Sequence, residues 1–105
     1  MYICNVNTLE INKILSNQLR INILSWLKEP EANFPPHISL GHFNDGVCVQ
    51  YIGEKAKLSP STVSQYLTSM QKAGLVIATR HGKWTYYKRN EKTIKQYIAY
   101  LSEHL

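Results

Sequence analysis

Leu58-Ser-Pro-Ser-Thr-Val-Ser-Gln-Tyr-Leu-Thr-Ser-Met-Gln-Lys-Ala-Gly-Leu75 is the stretch on which the fold turns. Ser59 is suited to cap a helix, its side-chain oxygen accepting from a backbone N–H of the first turn. Pro60 then falls where its missing N–H is no loss. No further proline or glycine intervenes before Gly74, which supplies the C-terminal stop. At 100° per residue, Val63, Tyr66, Leu67, Met70 and Ala73 gather on one side and require a core. Ser61, Gln65, Thr68 and Lys72 fall opposite, at i, i+4, i+7 and i+11, with Ser64 and Ser69 flanking them and Thr62 beside the first turn. A solvated helix face would ordinarily carry Glu, Lys and Arg. This one carries hydroxyls, an amide, one lysine and no acid. Short hydroxyls permit close approach to a duplex, and Gln65 can offer a donor and an acceptor together to adenine in the major groove. The free N–H groups and positive dipole end of the helix favour phosphate. The plain alternative is a serine-rich surface helix.

Working outward, Leu75–Arg80 reads as a strand, His81-Gly82 as a turn and Lys83–Lys88 as a returning strand rich in β-formers. Asn90 caps a last helix whose apolar stripe is Ile94, Tyr97, Ile98, Leu101 and Leu105. Upstream, Val47–Lys57 predicts a helix with Val49, Ile52 and Ala56 on one face, Gly53 arguing mildly against it. Lys28–Gly46, with Pro30, Pro35, Pro36, Gly41 and Asn44-Asp45-Gly46, is a long connector of the kind that is often functional. Asn7 or Thr8 starts a first helix bearing Leu9, Ile11, Ile14 and Leu15. Ser16 or Asn17 starts a second bearing Leu19, Ile23, Leu24 and Leu27, which Pro30 ends. The expected architecture is mainly α with a small β-hairpin, α-α-α-α-β-β-α, in a single domain over residues 1–105. That is the order of a winged helix-turn-helix, and its terminal helices are expected to form a dimer interface through Leu9, Ile14, Ile94, Tyr97, Ile98 and Leu101.

Charge follows the same geography. The chain of 105 residues carries a formal +5. Lys55 to Asn90 contains no Asp or Glu, but holds Lys55, Lys57, Lys72, Arg80, Lys83, Lys88 and Arg89. The remaining five basic residues are outweighed by all seven acids. One cationic face beside a slightly acidic remainder points to a polyanion. The candidate DNA-contacting residues are Ser59, Ser61, Thr62, Ser64, Gln65, Thr68 and Lys72 from the helix, with Arg80, His81 and Lys83 from the hairpin tip. Trp84, Tyr86 and Tyr87 could stack single-stranded bases. Strand alternation puts Trp84 and Tyr86 opposite Thr85 and Tyr87, however, so at least one face is read as core.

Other function classes find little support. No glycine-rich phosphate loop, paired carboxylates or nucleophile–base pattern suggests an enzyme. Residues 1–9 lack the make-up of a secretory signal, and no apolar run nears the ~18 residues of a membrane span. The two cysteines, Cys4 and Cys48, fit a reducing, cytoplasmic setting. A protein-interaction module on the same scaffold is the rival reading, and the acid-free segment favours double-stranded DNA.

In Leu58-Ser-Pro-Ser-Thr-Val-Ser64, Leu67, Ala73-Gly-Leu-Val76 and Arg80-His-Gly-Lys-Trp-Thr-Tyr-Tyr87, the chain resembles the ArsR/SmtB family of bacterial repressors. The match runs over about Val47 to Lys88. The resemblance implies a homodimer, an inverted-repeat operator and an inducer that releases DNA. It transfers the family's sensing sites poorly. Where many members carry Cys-x-Cys, this chain has Cys48-Val49-Gln50. Where a last-helix metal site needs an Asp-x-His pair, it has Glu91 and Thr93, with His104 further on. Cys48, Cys4, His37 and His42 are the remaining candidates for metal or redox sensing. No cofactor is expected unless these hold a metal ion, and thiol chemistry or an organic inducer is favoured over zinc or arsenite.

Overall fold

The computed structural model describes residues 7–37 and 41–105. The elements run α1 (Thr8–Ile14), α2 (Gln18–Lys28), α3 (Pro30–Asn33), β1 (Val47–Cys48), α4 (Val49–Ala56), α5 (Pro60–Lys72), β2 (Val76–His81), β3 (Trp84–Arg89) and α6 (Glu91–His104). The expected order is present, with a short helix and a third strand added.

Side-chain caps set the helix starts. Asn7 accepts from the Glu10 N–H, Asn17 from Leu19 and Arg20, Ser59 from Thr62, and Asn90 from Thr93. Each satisfies a donor that the first helical turn leaves orphaned. At the far end of α5, Leu75 N–H bonds the Met70 carbonyl and Gly74 N–H bonds that of Gln71, both at 2.9 Å. Gly74 takes φ +86 to allow this reversal. Pro30 does not itself end α2, which stops at Lys28. It takes the first position of α3, where its lack of an N–H is harmless.

Val47 and Cys48 correct the sequence reading. Expected as the start of a helix, they are a strand pairing antiparallel with Tyr87 and Tyr86, which makes a sheet of order β1-β3-β2. Gly46 lets the chain reach that edge. Its φ is +98, and a Cβ there would stand 1.9 Å from the Tyr87 carbonyl oxygen. Gly53, a mild objection to the helix, has a packing reason: a Cβ there would lie 3.1 Å from Val63 Cγ1, so its absence lets α4 and α5 approach closely. The hairpin turn is Gly82-Lys83 rather than His81-Gly82, since His81 pairs with Trp84. Gly82, at φ +61, occupies the first turn position.

The core gathers Ile11, Ile23, Leu27, Val47, Ile52, Val63, Leu67, Met70 and Leu75 from nearly every element. Tyr86 and Tyr87 are both buried while Trp84 remains exposed, so the two tyrosines are not available as a base-stacking platform. Tyr97 of α6 donates to the Asn12 side chain on α1 and ties the last helix to the first. Two of the expected dimer residues, Ile14 and Tyr97, are therefore buried within the protomer, at 5% and 9% exposure. Their helical positions point them at their own core. The apolar surface left on these helices is Leu9, Ile98 and Leu105, 71%, 59% and 97% exposed, beside half-buried Ile94 and Leu101.

Candidate nucleic-acid interface

The second helix of the helix-turn-helix, α5, buries Val63, Leu67 and Met70 and turns its polar row outward. Ser61, Ser64, Gln65, Thr68 and Lys72 are all exposed. At the N-terminal end the hydroxyls form a small network. Ser59 Oγ donates to Thr62 Oγ1 at 2.9 Å and lies 3.4 Å from Ser61 Oγ. Ser69 Oγ donates to the Gln65 main-chain carbonyl, and the Gln65 side-chain amide has no hydrogen-bond partner among the described residues. The phenol of the buried Tyr87 is pushed above its ordinary pKa by desolvation, which the neighbouring Thr68 hydroxyl partly offsets. One candidate contact residue thus lies beside the wing.

The wing carries its cations at the tip. Arg80 Nε donates to the Gly82 carbonyl at 3.0 Å, and Lys83 Nζ lies 5.5 Å from the Trp84 ring centroid. Both side chains are stiffened without being neutralised. His81 differs. Its Nε2 is 2.6 Å from Asp45 Oδ2, which binds the wing to the connector and gives this candidate an intramolecular partner. The hydrogen bond from His81 holds the Asp45 carboxyl below its ordinary pKa. The basic segment is also divided. Lys55 Nζ sits over the Trp26 and Phe34 rings, a contact that leaves its charge unneutralised like that of Lys83, whereas Arg89 pairs with Glu91 at 2.9 Å.

The connector is held at several points. His37 is 5% exposed and makes edge or tilted contacts with the rings of Phe43, Tyr51 and Tyr86. Its Nδ1 lies 3.1 Å from the His42 carbonyl, which can only accept, so Nδ1 carries the proton. Nε2 is then the lone pair that accepts the Cys48 N–H at 3.3 Å. His42 Nδ1 accepts from the Asn44 N–H, and Tyr51 Oη donates to the Pro36 carbonyl. The histidines therefore build the loop. Among the described residues, no group of three or more His, Cys, Asp or Glu stands where it could hold a metal ion. Cys48 is 6% exposed, and burial pushes its thiol above the ordinary pKa, the opposite of a reactive thiolate's surroundings. Cys4 lies outside the described residues.

Sequence reasoning missed two contacts. Asp45 looked like a turn residue, and nothing local announces its partner 36 positions away. Arg20 lay outside the acid-free segment, yet its Cζ is 4.7 Å from the Tyr66 ring centroid on α5.

Comparison with known proteins agrees with this geometry. No family model matches the chain. The uncharacterized HTH-type transcriptional regulator YbzH of Bacillus subtilis is 48% identical over 93 residues, covering 89% of this chain and 93% of its own. The crystal structure of the ArsR family transcriptional regulator RHA00566 superposes with a TM-score of 0.71 at 12% identity, over 99% of this chain and 92% of that one. Mb0332 of Mycobacterium bovis, described as a homodimeric winged helix-turn-helix DNA-binding domain, gives 0.61 at 23% identity over 90% and 75%. With a relative this similar along nearly its whole length, the chain belongs to the HTH-type transcriptional regulators, and its fold is the winged helix-turn-helix that the ArsR family structure shares.

Proposed function

We propose that this regulator is a homodimeric repressor that binds an inverted-repeat operator in double-stranded DNA and is released by an inducer. The observation that carries the reading is the outward face of α5. Ser64, Gln65 and Lys72 are exposed on a rigid helix with no side-chain partner among the described residues, beside uncompensated cations at the wing tip. A polar row left unpaired on a well-packed helix is suited to base edges, and the cations to phosphate. Pairing through α1 and α6 would cover Leu9, Ile98 and Leu105 and set two recognition helices about one DNA turn, ~34–36 Å, apart. Such a protein works where the DNA is, in the cytoplasm. The inducer is read as a small molecule acting on the connector, since Cys48 is buried and its thiol disfavours ionisation.

The test is selection of bound sites from random DNA, followed by comparison of wild type with Gln65→Ala on the selected and a scrambled duplex. Loss confined to the selected duplex supports the reading, and equal loss on both counts against it. Ile98→Glu, on an exposed side chain, should yield monomers by sedimentation and abolish operator binding. Retention on DNA that ignores salt would favour the rival, a protein-interaction module.

A further inference from the structure

Arg20 is the third residue of α2, in its first turn. A cation there opposes the helix dipole, whose positive end favours anions. The residue is half-buried, and its Nε is buried with no hydrogen-bond partner among the described residues. It takes part in none of the ion pairs among the described residues. What holds it is the Tyr66 ring, 4.7 Å from Cζ. A partly desolvated guanidinium without a carboxylate is poorly compensated by an aromatic face alone.

Tyr66 places that charge. It belongs to the core side of α5 but sits at the margin of that side, half-buried, next to Thr62 at i−4 and Ser69 at i+3. When a helix lies in the major groove, its central row meets base edges and its flanks face the sugar–phosphate walls. A guanidinium stacked on the flank is a planar fork beside one wall, the geometry with which arginine binds phosphate oxygens.

We propose that Arg20 is a backbone-phosphate contact of the DNA interface, supplied by α2 and positioned by stacking on Tyr66. The inference rests on the DNA-binding reading above. On it, the interface takes a cation from outside the acid-free segment, and Tyr66 acts through Arg20 without touching DNA.

The experiment measures the salt dependence of binding to a random-sequence duplex of about 30 base pairs, for wild type, Arg20→Met, Arg20→Lys, Tyr66→Leu and Lys83→Ala. Arg20→Met keeps an apolar stem against Tyr66 while removing the charge. It is expected to lower the slope of log K against log salt by about 0.9 for each phosphate no longer neutralised. Arg20→Lys should retain most of the slope. Tyr66→Leu should lose part of it, with the charge still present but unplaced. Urea unfolding of each variant accompanies the binding data. An Arg20→Met slope equal to wild type overturns the proposal, whatever its stability. Should Arg20→Met not fold, protection of Arg20 in wild type from phenylglyoxal by the duplex decides the matter, and absence of protection overturns it. If Lys83→Ala lowers the slope and Arg20→Met does not, this inference alone has failed. If wild type shows no salt-dependent binding, the DNA-binding reading fails and takes this inference with it.

Discussion

The outward face of α5 and the connector before α4 are both polar, and both looked functional in the sequence, but they are wired in opposite ways. On α5, Ser64, Gln65 and Lys72 project from a helix anchored by Val63, Leu67 and Met70, and no group among the described residues takes up their side chains. In the described part of the connector, several polar groups are instead taken up by other groups of the protein. His37 bonds Cys48 and His42, His42 takes the Asn44 N–H, Asp45 holds His81, and Tyr51 reaches the Pro36 carbonyl. Rigid elements tolerate unsatisfied polar side chains at the surface, where water serves them until a partner displaces it. A loop beside the core cannot, because each buried donor or acceptor left unpaired is destabilising. Histidines that suggested metal ligands are better understood as the connector's internal fastenings.

This contrast predicts that connector substitutions act on stability and α5 substitutions on binding. The largest effect is expected at Gly46. An added methyl would meet the Tyr87 carbonyl at 1.9 Å with the backbone held at φ +98. Gly46→Ala should destabilise by ~3 kcal/mol or more in urea unfolding, through strain and loss of β1 pairing. A loss below ~1 kcal/mol would mean that the connector adapts freely and the contrast is false.

His37 comes next. His37→Ala removes a buried ring from among Phe43, Tyr51 and Tyr86 and strips the Cys48 N–H of its acceptor. A cavity and an orphaned donor together suggest ~2–4 kcal/mol. His37→Phe restores volume without the bonds and should recover part of this. Equal stability of the Phe variant and wild type would show that packing alone matters there. Gln65→Ala is the counterpart on α5. Its stability should stay within ~0.5 kcal/mol of wild type, as for other surface positions, while selected-site binding weakens by ~1–3 kcal/mol. A variant that unfolds more easily but binds normally would reverse the assignment.

What the sequence shows follows from the range of the forces involved. Helices α2, α5 and α6 have apolar residues at helical spacing between capping residues and stops, so local pattern suffices. The wing is legible because Gly82 sits between two β-forming runs. β1 is not, since two residues have no period and their strand state depends on an edge offered by β3. The α5 polar row could be read because composition and spacing coincide on one helix. Arg20 on Tyr66 and Asp45 on His81 are tertiary contacts between residues whose neighbours in sequence say nothing about them. The same limit misplaced Ile14 and Tyr97. An amphipathic stripe states that a face will be covered, and only the fold decides whether the protomer or a second copy covers it.

The smallest predicted effect concerns the bond between connector and wing. His81 holds the Asp45 carboxyl below its ordinary pKa, so the folded state binds that proton less readily than the unfolded chain. The stabilisation is therefore fully present above the ordinary carboxylate range and is lost as pH falls through the depressed folded value. Both side chains are partly solvated, so solvent and salt screen the pair and the contribution is small. Asp45→Asn should lower the melting temperature slightly at neutral pH, and the gap to wild type should close as the solution is acidified into the carboxylate range. A gap that persists unchanged at the acid end would show that Asp45 acts through turn geometry and not through its charge. The same substitution removes the acid paired with His81 of the wing, leaving Arg80 and Lys83 in a more positive field. Binding to random duplex at low salt should therefore strengthen a little while stability falls. Neither simple unfolding nor removal of a DNA-binding group would move the two measurements in opposite directions.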